Sequence, residues 1–239
     1  MLIVKVPAIN GFGRTNGCEK APGLIERRFK GKFLEIKVNN LNIKESQEKI
    51  LNEARKFFLK NKRILFLGGD HSISFPLVRA FSQKNSGCLV VLDSHADSMP
   101  SMKEPSHEEW LSAFLKFKNI PVFLIGTKQI FQKEKKELTD QKVSIIPFNR
   151  VGNIDNVIKK INQHKKVYFS LDLDVFSSDV FNAVAYPQKR GLNLKQVLKL
   201  IKKIKPYAMD IVEFNPKKDK NDKNVKILKE IIKCVVSLR

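Results

Sequence analysis

The chain has little of what a disulfide scaffold, a thiolate zinc site or a membrane protein requires. Of its 239 residues only three are cysteine, Cys18, Cys88 and Cys234, widely spaced and without a CxxC pair. That argues against disulfide bracing and against thiolate metal ligation, and suits reduced thiols in a cytoplasmic protein. No run approaches the roughly 20 continuous apolar residues of a membrane helix, so no membrane partner is expected. The opening MLIVKVPAINGFGR has no basic region followed by an apolar core and a small-residue cleavage site, and no secretory signal is expected from it. Acids are also scarce: 24 Asp and Glu stand against 45 Lys and Arg, a formal charge of +21. The lysines are spread over the polar faces of helix-like segments such as LNLKQVLKLIKKIK (192–205), and no nucleic-acid motif accompanies them. The charge therefore reads as a solvated cationic surface, with no nucleic-acid partner expected beyond non-specific attraction.

What is present is alternation. Hydrophobic residues make up 42% of the chain, too many for disorder. Short apolar runs fall at 2–6, 33–38, 63–68, 88–93, 121–126, 142–148, 166–174 and 208–214. Several are continuous Val/Ile/Leu/Phe stretches, the pattern of strands buried on both faces of a parallel sheet. Helical periodicity falls between them, at about 44–60, 73–83, 107–118, 131–139, 153–163, 193–204 and 222–236. Ser106-His107-Glu108-Glu109 fits a capping box ahead of Trp110. The spacing predicts one α/β domain over 1–239, a three-layer α/β/α sandwich on a mainly parallel sheet of about eight strands.

In such folds ligands bind beyond the carboxyl ends of the strands. After RILFL comes Gly68-Gly69-Asp70-His71-Ser72, and after CLVVL comes Asp93-Ser94-His95-Ala96-Asp97. KVYFSL leads into Asp172-Leu173-Asp174, and AMDIV into Glu213. In extended backbone, residues two apart share a face, which would align Asp93 with His95 and Asp97, and Asp172 with Asp174. Such a crowd of carboxylates is costly to bury unless cations neutralise it. Imidazoles with several carboxylates and no thiolate suit Mn²⁺ or a similar ion, and the number of acids points to two ions. Singly, each motif has a plainer reading: GGDH as a tight turn with a capping Asp, DxD as a common strand end, His95 as a hydrogen-bonded core residue.

Read together, GGDHS, DSHAD and SLDLD resemble the GG[DE]H, DAHxD and DxD metal motifs of the ureohydrolase (arginase/agmatinase) family, in the same order; VEFNP is similar to its later VExNP. The resemblance covers about residues 60–216. It implies an arginase-like fold holding two Mn²⁺, one on His71, Asp93, Asp97 and Asp172, the other on His95, Asp93, Asp172 and Asp174. It further implies hydrolysis of a guanidinium carbon by a metal-bridging hydroxide, releasing urea and an amine. Asp97 would also orient the hydroxide, Glu213 would accept the guanidinium, and His107 would shuttle a proton to the leaving amine, unless it serves only in the capping box. A homotrimer or hexamer is likewise implied.

Departures bear on the substrate. The family's GTGTP-like run is replaced within FSSDVFNAVAYPQKRGL (176–192), which puts Tyr186 where a small residue is usual. SMPSMKEPSH offers no Asn for an α-carboxylate, and Gly126-Thr127-Lys128-Gln129 lacks the Asp that would hold an α-amine. Both losses argue against arginine and for an agmatine-like guanidino compound. The alternatives are a non-catalytic or divergent relative that keeps a structural metal site, and a basic nucleic-acid-associated protein.

Overall fold

Among the described residues eight strands and eight α-helices alternate; the strands and all the helices but one answer to the apolar runs and amphipathic stretches of the sequence. The computed structural model describes residues 1–60, 62–117 and 119–238. The strands are β1 (Leu2–Val6), β2 (Phe33–Glu35), β3 (Ile64–Gly68), β4 (Cys88–Leu92), β5 (Val122–Thr127), β6 (Ser144–Pro147), β7 (Val167–Asp172) and β8 (Ala208–Val212). They form one sheet in the order β2-β1-β3-β8-β7-β4-β5-β6, and every pairing is parallel. The central strands are buried throughout, and Pro147, which cannot donate to a ladder, lies in an edge strand.

Period-two alternation divides the core into two layers. Leu65, Leu67, Val90, Leu92, Phe169 and Leu171 face α1 (Ala21–Arg28), α6 (Asp155–Ile161), α7 (Leu194–Ile204) and α8 (Lys223–Ser237). Ile64, Phe66, Leu89, Val91 and Tyr168 face α2 (Ile43–Leu59), α3 (Ser74–Lys84), α4 (Trp110–Leu115) and α5 (Gln132–Asp140). This is the expected three-layer sandwich. No helix among the described residues is long and apolar enough to cross a membrane, and all three cysteines are buried and unbonded.

Several boundaries differ from the sequence reading. Helix α1 is absent from the expected set because Pro22 and Gly23 in its first turn mask an eight-residue helix that buries only Ala21, Pro22 and Ile25. Helix α4 starts at Trp110 rather than 107, and the last residue of its expected range, Lys118, lies outside the described residues. Ser106 and Glu109 do bond, but unlike a full capping box: the Glu109 carboxylate accepts from the Ser106 N–H at 2.8 Å, while Ser106 Oγ accepts from the Glu108 N–H at 3.2 Å. Strand β8 stops at Val212 because Glu213 turns into the left-handed region at φ 69°.

The order of the strands positions the site. Strands β3 and β4 follow each other in sequence, yet β8 and β7 lie between them. The carboxyl ends of these four neighbours carry GGDH, Glu213, DLD and DSHAD, so one sheet edge collects every motif. Gly69 lets the β3 end pack onto the β1 end: a Cβ there would meet the Ala8 carbonyl oxygen at 2.1 Å. Gly69→Ala should therefore destabilise the fold by about 2–3 kcal/mol. Gly152→Ala, where an added Cβ meets nothing within 4 Å, should change stability by no more than about 0.5 kcal/mol. Urea denaturation of both variants measures the difference.

Candidate metal centre and active site

The alternation argument for the strand ends fails, and turn chemistry replaces it. Strand β4 ends at Leu92 before the first ligand candidate, and Asp97 has φ 46°. Asp93 Oδ1 instead accepts the His95 N–H at 2.7 Å, and Asp172 Oδ1 accepts the Asp174 N–H at 2.7 Å. Asp70 caps its own turn in the same way, accepting from Ser72 N at 3.1 Å. Each strand thus closes with an aspartate that binds the backbone two residues on. In Asp93 and Asp172 one oxygen is spent on the turn and the other is left to face the site.

Those free oxygens converge. His71 Nδ1 lies 3.2 Å from Asp93 Oδ2, 2.8 Å from Asp97 Oδ2 and 3.2 Å from Asp172 Oδ2. His95 Nδ1 lies 2.7 Å from Asp174 Oδ2 and 3.8 Å from Asp93 Oδ1. Two groups of candidate donor atoms result: His71, Asp93, Asp97 and Asp172, and Asp93, His95 and Asp174, with Asp93 common to both. All six residues named from the sequence meet at this edge. Asp172 falls in the first group only, so of the two bridging residues implied by resemblance the geometry gives the shared place to Asp93.

The surroundings show what this cluster is built to hold. The single Ser170 hydroxyl proton goes to Asp210 Oδ1 at 2.7 Å, so Ser170 Oγ accepts from His71 Nε2–H at 2.9 Å. That fixes the tautomer and leaves the Nδ1 lone pair aimed at three carboxylates. His71 Nδ1 and Asp93 Oδ2 are both buried without a hydrogen-bond partner. An unprotonated Nδ1 among carboxylate oxygens fits a hard divalent ion; with no ion there, burial opposes charging of His71, but Asp172, Asp93 and Asp97 override it and hold its pKa well above the usual imidazole value. Without one, protons must serve. Burial and the neighbouring Asp97, Asp172 and Asp174 hold Asp93 well above the usual carboxylate range. Burial and Asp174 push Asp172 up to about 7. Burial opposes charging of His95, but Asp174 and Asp93 override it and raise its pKa to about 11.

The cluster opens into a cavity of about 330 Å³. Glu213 lines it, with Oε1 accepting the His71 N–H at 2.8 Å and Oε2 buried without a partner. His107 lines it too: neither ring nitrogen has a hydrogen-bond partner, and the ring lies parallel to Tyr186 at 6.4 Å. Asp97 is anchored by Trp110 Nε1 at 3.0 Å.

The sequence reading did not identify several of these neighbours. Ser170 and Asp210 are register partners across β7 and β8, and their only sequence signal was a polar residue inside an apolar run. Glu134 was hidden in an amphipathic helix, yet it lines the cavity, accepting from Ser98 N at 3.2 Å and Phe131 N at 2.9 Å. Arg14 reaches the cavity from the amino-terminal loop, pairing with Glu108 at 2.7 Å and Tyr186 Oη at 3.2 Å; no motif marks it.

The sign of the pKa shifts yields a test. Asp172 and His95 hold protons in the folded metal-free protein that the unfolded chain gives up at about pH 4 and 6.5 respectively. The fold therefore binds more protons than the unfolded chain between pH 5 and 8, and stability must fall as pH rises. Metal-free protein should show a declining Tm from pH 5 to pH 8 by thermal denaturation. Added Mn²⁺ should raise Tm more at pH 8 than at pH 5.

Comparison with known proteins gives the family. The arginase family model matches residues 18–237. The chain is 27% identical over 183 residues to the N(1)-aminopropylagmatine ureohydrolase of Thermus thermophilus, covering 72% of this chain and 61% of that protein. It is 29% identical to an arginase of Plasmodium berghei, covering 92% and 71%. The matched region thus spans about three fifths of the length of the Thermus relative. Among solved structures, agmatine ureohydrolase of Thermoplasma volcanium superposes with a TM-score of 0.86 at 22% identity, covering 98% of this chain and 88% of that one. Arginase from Bacillus subtilis gives 0.83 at 19%, covering 99% and 98%. These two likenesses are of fold. With the family match extending over almost its whole length, the chain belongs to the arginase family.

Proposed function

We propose that the protein is an amidinohydrolase that adds water to the guanidinium carbon of an agmatine-like compound, releasing urea and an amine. The observation that carries this reading is the pairing of the carboxylate–imidazole cluster with the free Glu213 Oε2 at one cavity. Two Mn²⁺, one on His71, Asp93, Asp97 and Asp172 and the other on Asp93, His95 and Asp174, would supply a water of lowered pKa. The remaining work falls to the chain. Glu213 accepts two N–H groups of the flat guanidinium in a charge-assisted pair, which turns the carbon towards the cluster. Asp97 accepts a hydrogen bond from the attacking water and fixes its direction. His107 delivers a proton to the departing nitrogen, so that the C–N bond breaks to a neutral urea and an alkylammonium.

The lining supports a substrate that is cationic at both ends. Glu108, Glu134 and Glu213 line the cavity beyond the cluster, against the single cation Arg14, which Glu108 already pairs. The neutral Gln129 also lines it, offering no charge to an α-amine. The Thermus relative is a ureohydrolase of an aminopropyl derivative of agmatine, a compound of the same substrate class.

Urea release from agmatine, arginine and guanidinobutyrate by the Mn²⁺-loaded protein tests the reading. Agmatine should be turned over with the highest kcat/KM; no urea from any of the three would refute it. His107→Ala should lower kcat by about 10²-fold or more while leaving Mn²⁺ binding intact. Asp93→Ala should lose metal and activity together, as metal analysis alongside the assay would show.

A further inference from the structure

A second cavity, of about 360 Å³, lies between α2, α3, the end of α4 and the segment 101–105. It is separate from the catalytic cavity. Met99 lines the catalytic side, whereas Ser101 through Pro105 line the other, so the stretch joining Asp97 to His107 is a wall between them. The wall is tied down: Asn10 Nδ2 donates to the Glu104 and Pro105 carbonyls, and Gln47 Nε2 donates to Pro105, each at 3.0 Å.

Arg79 gives this cavity its character. Its guanidinium carbon lies 4.3 Å from the centre of the Phe117 ring and 6.0 Å from that of Phe75. Its Nε is buried with no hydrogen-bond partner, and among the described residues no acid pairs with the side chain. A guanidinium with its face on an aromatic ring keeps its edge for a planar acceptor. Lys44, Lys103 and Lys116 line the same cavity with Arg79, against Glu48 and Glu104. The balance is two positive charges in excess. Leu51, Phe75, Pro76, Ala113 and Phe117 give the wall a hydrocarbon side, beside the polar Gln47 and Ser101.

We propose that this cavity is an accessory binding site for an organic carboxylate with an apolar body, its carboxylate on the edge of Arg79 and its body against Phe75 and Phe117. A planar carboxylate satisfies two guanidinium N–H groups at once, and it would give the half-buried Arg79 the acceptor that its buried Nε lacks. A bare inorganic anion would satisfy the charge and leave the apolar wall wet. A cation would meet the charge excess and be repelled. The inference is independent of the reaction at the carboxylate–imidazole cluster.

Calorimetric titration of the full, Mn²⁺-loaded protein tests it, with 4-phenylbutyrate, inorganic phosphate and 4-phenylbutylamine as probes. Phenylbutyrate should bind once per chain, the amine should not bind, and phosphate should bind at least about tenfold more weakly than phenylbutyrate. Arg79→Gln should weaken phenylbutyrate by about tenfold or more. Because Arg79 packs against Phe117 and Phe75, the exposed Lys103→Gln serves as a second variant and should weaken it about threefold with an unchanged melting temperature. Binding that survives both substitutions, no binding at all, binding of phosphate as tight as that of phenylbutyrate, or displacement of phenylbutyrate by agmatine would each overturn the assignment.

Discussion

Four buried carboxylates, Asp93, Asp97, Asp172 and Asp174, converge on two imidazoles, and the rest of the structure around the sheet edge answers to that crowding. Among the described residues no lysine or arginine pairs with these carboxylates, so their charge must be met by protons or by bound cations. Desolvating carboxylates at such distances is among the more expensive arrangements a fold can contain. Rich as the chain is in lysine and arginine, among the described residues none pairs with these carboxylates, an arrangement that fits a bound cation.

The fold meets the cost with rigidity. The turn aspartates each give one oxygen to the backbone, which fixes where the other points. His71 is locked through Ser170 to Asp210, which also accepts from Tyr168 at 2.7 Å and Ser74 at 2.9 Å. Asp97 and Glu213 both sit at positive φ, each at a cost on the order of 1 kcal/mol. Trp110 holds the first through its indole, and the His71 N–H holds the second. Strain appears where a side chain has to be turned off the line of a strand and into the cavity. Asp70 completes the frame from behind: it accepts from Asn10 N at 2.6 Å and Thr15 Oγ1 at 2.8 Å, and so fastens the amino-terminal loop to the β3 end.

The layers and the six converging residues were legible in the sequence, for a physical reason. Buried parallel strands must be apolar throughout, so the acids and histidines that follow them stand out against the runs. The mechanism of convergence was not legible. Alternation along an extended chain would have placed Asp93, His95 and Asp97 on one face, yet the chain stops being extended at Leu92 and the side chains themselves bend it. Nor could local pattern reveal Arg14 or Glu134, which reach the cavity from a loop and a helix start brought together only by the fold. Ser170 and Asp210 lie between these cases, visible as polar interruptions but meaningful only once β7 and β8 are paired. Helix α1 was lost to its own proline and glycine.

The central claim is that cations, not protons, are meant to balance the cluster. Equilibrium dialysis of the metal-stripped protein against Mn²⁺ at pH 8, followed by elemental analysis, tests it most directly. The account predicts about two ions bound per chain, falling by at least one when Asp93, common to both donor groups, is replaced by Ala. Retention of no more than trace metal by the unaltered chain, or the same uptake by the Asp93→Ala variant, would contradict it.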